Sequence, residues 1–407
     1  MNIPRRTFLS TATGAAAAMG LRPDALTAAS AISPVAQIPG DRFDPWIEVD
    51  PVALESNVAE ITRLTGGRPI LAVVKNNAYG LGLATACRIL EPLSSIVGFA
   101  VVKMEAAFAL REAGIRKPVY LMAMFPEKAA ADLAQHDIRP CLYSENSLRL
   151  TQPMTRVLGA PVKVQLYLDT GMSRMGVPYH RALPWIEELV ASGNVAVEGT
   201  FMGFTEDPEF DREQLKRFLS VAEHAARANV QLGELHAASS SAVFEFPDAH
   251  LDMVRPGMAM YGGYPNDPRT QKELGALRCA VRLKARVVRV EQLRMGDSVS
   301  YGRNYVAQVP TWVATLPVGH TDGYPRRAVD GARILIGSQT YPVIGAISAS
   351  HTIVELGAEK TVAVGDVATL IGPDAKETDP NWISVETGTS VYDLFMHLNP
   401  SLPKIIA

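Results

Sequence analysis

The chain of 407 residues has only three cysteines, Cys87, Cys141 and Cys279. A small, odd set without metal-ligand spacing excludes a disulfide framework and leaves at least one free thiol; no metal is predicted. Positive charge is not in excess either: 39 Lys and Arg face 42 Asp and Glu, a formal net charge of -3. Without a basic run the electrostatic footprint of a nucleic-acid binder is missing, so no nucleic-acid partner is expected. No stretch reaches the roughly 18 consecutive apolar residues that would cross a bilayer, so no membrane span is expected. What remains is the composition of a water-soluble enzyme, long enough for two domains at about 100 to 200 residues each.

The first residues read as an address. MNIPRRTFLSTATGAAAAMGL carries Arg5 and Arg6, then Phe8, Leu9 and a weakly hydrophobic, Ala-rich stretch, and Ala29-Ser30-Ala31 offers an A-x-A cleavage site. The order resembles a twin-arginine signal, although Pro4 and Ser10 depart from its usual flanks. Residues 1–31 are therefore expected to direct export to the periplasm or outside the cell, with a disordered cytosolic tail as the alternative.

From Trp46 onward, short β-branched runs alternate with longer segments of helical period. The runs end at Lys75, Val102, Ala123, Tyr143, Leu168, Phe204, Ser239 and Arg255. Eight βα units fit one closed (β/α)8 TIM-like barrel over 45–270. A doubly wound open sheet shares the alternation, but the first run ends in Lys75 rather than a Gly-rich dinucleotide fingerprint. From about Arg278 closely spaced strands such as RLKARVVRVEQL and TWVATLPVG take over, which predicts an all-β domain over 276–407. The overall class is α/β with a C-terminal all-β domain.

Barrel enzymes build their sites from the C-terminal ends of the strands. Lys75 ends the first strand after Leu71-Ala72-Val73-Val74, where partial desolvation lowers a lysine pKa and frees the amine as nucleophile or base. A lysine snorkelling at a strand end is the alternative. Arg174 follows the fifth strand in DTGMSR, where a guanidinium suits a carboxylate; a loop ion pair would explain it equally. Ser239, Ser240 and Ser241 follow the seventh strand, and Gly257 and Met258 the eighth, the two loops that form the usual barrel phosphate site. Helix capping explains serines as readily. His236 reads as a barrel-layer residue, and His351 and His397 lack metal-ligand partners.

VVKNNAYGLG, LDTGMSRMGV, HLDMVRPGMAMYG, SVSYGRNY and LPVGHTDGYPR together resemble the alanine racemases, fold-type III enzymes dependent on pyridoxal 5'-phosphate. The resemblance runs from about Trp46 to the C-terminus and implies an isomerase that interconverts L- and D-amino acids. It puts Lys75 at the Schiff-base position, and Tyr79, Ser240, Gly257 and Met258 at the phosphate. It sets Arg255 against the pyridine nitrogen, where the bland reading is an ion pair with Asp252. Arg174 and Ala349 fall at the substrate. Racemisation needs a base on each face of Cα. The resemblance gives one face to Lys75 and the other to Tyr301 of the partner subunit, implying a homodimer with composite sites.

Several positions depart from the family pattern. Gly203 stands where the family has a histidine bonded to the pyridine-contacting arginine, and Tyr167 where it has a lysine that can be carbamylated. His320 replaces an entry-channel tyrosine, and Ala346 and Ser348-Ala349-Ser350 replace larger pocket residues. The C-terminal tyrosine that contacts phosphate is read as absent, because the tail ends Leu402-Pro403-Lys404-Ile405-Ile406. These changes predict a wider pocket and raise a broad-spectrum racemase as the alternative to an alanine enzyme. A fold-type III decarboxylase and a catalytically degenerate cofactor-binding protein are weaker alternatives, opposed by Arg255 and by the β domain carrying Tyr301.

Overall fold

The computed structural model describes residues 42–407, so the leader at 1–31 lies outside the described residues. The first strand, β1 (Trp46–Val49), runs into a helix at Pro51–Leu64 whose start is written locally. Asp50 caps it by accepting from Ala53 N at 2.9 Å, Pro51 occupies the first turn, and Ala53, Leu54, Val58 and Ile61 form the buried face. Such a cap contributes about 1 kcal/mol and each large aliphatic side chain about 1.5–3 kcal/mol on burial.

The barrel strands are β2 (Ile70–Val73), β3 (Ile96–Val101), β4 (Val119–Leu121), β5 (Ile138–Leu142) and β6 (Val162–Asp169), followed by the two-residue β7 (Val177–Pro178), β8 (Val195–Phe201) and β9 (Glu234–His236). Their order is β2-β3-β4-β5-β6-β8-β9, all parallel, with β7 beside β6. The predicted eighth strand survives as one parallel bridge, Ile70 to Val254. Around it Leu71 N donates to Val254 O at 2.9 Å, Val73 N to Pro256 O at 3.0 Å, and Arg255 N to Ala238 O at 2.8 Å, which closes the ring. Pro256 has no N–H to extend the ladder.

The second unit of architecture is mostly strand: β10 (Val281–Arg286), β11 (Arg289–Leu293), β12 (Ser298–Val299), β13 (Tyr305–Val306), β14 (Thr311–Leu316), β15 (Arg333–Ile336), β16 (Gln339–Ile344), β17 (Thr352–Gly357), β18 (Val367–Ile371) and β19 (Lys404–Ile406). One sheet has the order β11-β14-β17-β16-β15-β18-β10-β1-β19, and β12 and β13 form a separate hairpin. Alternation is legible in β10, where Val281, Leu283 and Ala285 are buried and the residues between them are not. One expectation changes here. β1 belongs to this sheet rather than to the barrel, antiparallel to β10 and parallel to β19. The C-terminal domain is mostly strand, as expected, and adds short helices at Pro380–Thr387 and Val391–Met396. Among the described residues no helix is long and apolar enough to cross a membrane.

Candidate active site

A cavity of about 370 Å³ opens at the C-terminal ends of the barrel strands, bordered by Lys75, Tyr79, Arg174, Ser240, Arg255 and Gly257 among others. Lys75 leaves β2 directly into a left-handed turn: Asn76, Asn77, Ala78 and Tyr79 all have φ between 51° and 58°. This conformation costs L-residues roughly 1–2 kcal/mol each, so tertiary packing must hold it. Ala78 and Tyr79 are buried, and Gly80, at φ 90°, backs onto Phe395 O so closely that a Cβ there would lie at 2.3 Å. The turn thus pins Lys75 at the cavity wall. Burial lowers its pKa first, the Arg174 charge lowers it further, and Glu206 opposes both.

Tyr79 stacks on Tyr261 with centroids 4.8 Å apart, and its hydroxyl rests on Gly257, where an added Cβ would meet it at 2.0 Å. Ser240 does not cap its own helix. Its Oγ accepts from Gly257 N at 2.9 Å and Ala259 N at 3.2 Å, tying the seventh-strand loop to the eighth. Met258 does not border the cavity: its side chain is buried with Sδ packed against Gly263, and its carbonyl accepts from Gly263 N at 3.3 Å. Arg174 borders the cavity at the end of a loop shaped by Asp169, whose Oδ1 accepts from Gly171 N at 2.9 Å and Ser173 N at 3.0 Å.

Arg255 is buried, and it is not paired with Asp252, whose carboxylate accepts instead from Leu235 N at 2.8 Å. Its Nη1 donates to His236 O at 2.7 Å and to His236 Nδ1 at 2.9 Å, and its Nη2 to Met202 O at 2.6 Å and Ala237 O at 3.2 Å. Four of the five guanidinium hydrogens are thereby used, and Nε–H alone has no protein acceptor among the described residues. Burial pulls this guanidinium down to about 10, still charged at neutral pH. The plane lies over Phe201 at 4.9 Å, and Phe201 stacks on Tyr167 at 4.4 Å.

Tyr301 and Ala349 do not border this cavity. Tyr301 is 75% exposed, lifted out by Ser300 (φ 60°) and Gly302 (φ 73°). Ser300 Oγ donates to Ala346 O at 2.6 Å, which ties this loop to the segment that carries Ala349, itself exposed with its carbonyl accepting from Thr321 Oγ1 at 2.7 Å.

Two residues of the cavity wall are marked by no motif in the sequence. Tyr392, in the helix Val391–Met396, borders the cavity 6.5 Å from the Tyr79 ring, so a C-terminal tyrosine is present after all. It stands upstream of the tail at 402–406, and the Ser390 cap and the buried Val391, Leu394 and Phe395 mark its helix. Glu206 also borders the cavity, with φ 66°. His236, read as a layer residue, is buried in the barrel and bonded to Arg255, and burial together with that charge holds it well below its ordinary pKa, hence neutral.

The family description "Alanine racemase, N-terminal domain" matches residues 49–265, and "Alanine racemase, C-terminal domain" matches 280–406. The chain is 32% identical over 365 residues to the alanine racemase of Carboxydothermus hydrogenoformans, covering 88% of this chain and 98% of that protein. It is 31% identical over 372 residues to that of Methanococcus maripaludis, with 88% and 98% covered. Among solved structures, alanine racemase from D-cycloserine-producing Streptomyces lavendulae superposes with a TM-score of 0.82 at 27% identity, covering 90% of this chain and 97% of that one. The enzyme of Bacillus anthracis with bound L-Ala-P gives 0.78 at 25% identity, covering 90% and 95%. The two-domain match over nearly all of 46–407, with a strand-end lysine and a buried arginine in one cavity, means that the chain belongs to the alanine racemase family of isomerases.

Proposed function

We propose that the protein is a pyridoxal-phosphate-dependent racemase that interconverts L- and D-alanine, working as a homodimer with composite sites. The observation that carries this reading is the meeting of Lys75, Arg174 and Arg255 around one cavity with Tyr79, Ser240 and Gly257. The residues fit the cofactor. Arg255 has a single unshared donor, Nε–H, suited to a ring nitrogen, while the Ser240 hydroxyl, which accepts from Gly257 N and keeps its own hydrogen to donate, and the Tyr79 hydroxyl, admitted by the missing side chain of Gly257, suit a phosphate. Tyr79 and Tyr392 border the same end. Pyridoxal phosphate, when bound, supplies a conjugated ring that withdraws electrons from the substrate Cα and acidifies its C–H.

Lys75 would hold the cofactor and, as an amine whose pKa is lowered, take or return the Cα proton on one face. Arg174 would hold the substrate carboxylate. The opposite face needs a second base, and Tyr301 of the partner subunit is the candidate, because within its own chain it stands exposed and away from the cavity. Export through the leader is part of the proposal, and N-terminal sequencing of the protein from its native host tests it: an intact Met1 would refute cleavage.

The central test is chiral separation after incubating the holoenzyme with L-alanine, alongside lysine, arginine, methionine and serine. Alanine is expected to turn over fastest, because the Tyr167 hydroxyl refills space beside Gly203. Faster turnover of the larger substrates would favour the broad-spectrum reading, and release of amine with loss of carbon dioxide would favour a decarboxylase.

A further inference from the structure

His236 lies at the centre of a buried chain of three side chains. Its Nε2 is 2.8 Å from Gln165 Oε1 and its Nδ1 is 2.9 Å from Arg255 Nη1, and all three residues are at most 7% exposed. The donor and acceptor chemistry allows one assignment. A guanidinium only donates, so Nδ1 must be the bare, accepting nitrogen. The neutral ring then carries its proton on Nε2, and that proton needs an acceptor, which is Gln165 Oε1. Turning the amide over would set its NH2 against Nε2, force the proton onto Nδ1, and aim it at the Arg255 hydrogens.

Two further observations fit. Gln165 Nε2 is buried and has no partner among the described residues, so the amide is anchored through its oxygen alone. Gly199 makes the room: a Cβ there would lie 2.5 Å from Gln165 Oε1. Gln165 itself does not border the cavity. Its influence passes through His236 to Arg255, whose Nη hydrogens are all committed only while Nδ1 accepts one of them.

We infer that Gln165 is a positioning residue: by accepting from His236 Nε2–H it fixes the His236 tautomer, which in turn orients Arg255 with Nε–H toward the cavity. The kinetic part of the test rests on the racemase reading; the spectroscopic part does not. The holoenzyme is labelled with 15N-histidine, and long-range 1H–15N spectra are recorded for wild type, Gln165→Leu and Gln165→Glu. Among the eight histidines, His236 is identified by the signal lost in His236→Asn.

Wild type should report the Nε2–H form. Gln165→Leu should lose it, with kcat for alanine down about tenfold to a hundredfold, the scale of outer hydrogen-bond partners at metal-bound histidines, and KM changed less than about twofold. Gln165→Glu keeps an accepting oxygen and should retain the tautomer and recover most of kcat. An unchanged His236 tautomer in Gln165→Leu overturns the inference. So do equal losses of kcat and melting temperature in both variants, which would mark Gln165 as packing alone. Should no variant, wild type included, racemise anything, the racemase reading fails while the tautomer result still decides this one.

Discussion

Tyr167 lies flat on Phe201, with centroids 4.4 Å apart and planes 19° apart, and its hydroxyl sits 3.3 Å from the point where a side chain at Gly203 would begin. Two departures from the family pattern are therefore one packing unit. The larger residue on β6 reaches into the space that the smaller one after β8 leaves free, so the pocket is not widened there by the full volume of a missing imidazole.

That relationship predicts coupling. Gly203→His alone should lower stability by about 1–3 kcal/mol through overpacking against Tyr167. Adding Tyr167→Ala should relieve most of the penalty, giving an interaction free energy above about 0.5 kcal/mol in a double-mutant cycle followed by thermal unfolding. Simple additivity would mean that the two positions do not share space.

Gly257→Ala should weaken cofactor retention by about tenfold or more, equivalent to roughly 1.4 kcal/mol. Its φ of -120° lies outside the left-handed region that favours glycine, and the penalty expected is spatial: the new Cβ would begin 2.0 Å from Tyr79 Oη, and Tyr79 is backed by Tyr261. Titration of the cofactor-free protein with pyridoxal phosphate, followed by absorbance, measures it. Undiminished affinity would show that Tyr79 can retreat.

Lys75 makes stability depend on pH in the cofactor-free protein. Its folded pKa lies below the ordinary 10.5, chiefly through burial and then through Arg174, so the folded chain binds its proton less tightly than the unfolded chain. The resulting penalty is full below the folded pKa and fades as pH rises toward 10.5. Lys75→Met should therefore stabilise the cofactor-free protein at neutral pH, and its advantage should shrink as the solution becomes alkaline. Denaturant unfolding at several pH values tests this; an advantage that grows with pH contradicts it.

Tyr301→Phe should abolish racemisation while changing stability by less than about 0.5 kcal/mol, because the side chain is exposed. Lys75→Ala should be equally inactive. If sites are composite, mixing and reassembling equal amounts of the two inactive variants regenerates intact sites to about a quarter of the total, since half the dimers are mixed and each holds one good site. A mixture as dead as its components would assign both residues to a single chain.

Much of this was legible in the residues. The alternation of β-branched runs and helical segments gives the barrel, and Lys75, Arg174, Ser240, Arg255 and Gly257 stand at strand ends, where a barrel collects its chemistry. The helix at Pro51–Leu64 carries its own start signal in Asp50 and Pro51. Such features depend on neighbours a few positions away, and local pattern suffices for them.

Other features depend on partners from distant parts of the chain, tens to hundreds of positions apart. Trp46–Val49 looks like the opening of the barrel but pairs with Val281–Arg286 and Lys404–Ile406, because its hydrogen-bonding edges are satisfied by strands from the far end of the chain. Tyr392 reaches the cavity only because its helix packs on the left-handed turn at Gly80. His236 and Gln165 carry no motif that distinguishes a layer residue from a positioning one; that is decided by which donor faces which acceptor inside the barrel. The sequence by itself determined the order of elements and the kinds of chemistry available. The tertiary structure alone decided which donors are spent on the protein and which remain for a ligand, since hydrogen bonding in a buried site depends on three-dimensional distance and direction, not on position along the chain.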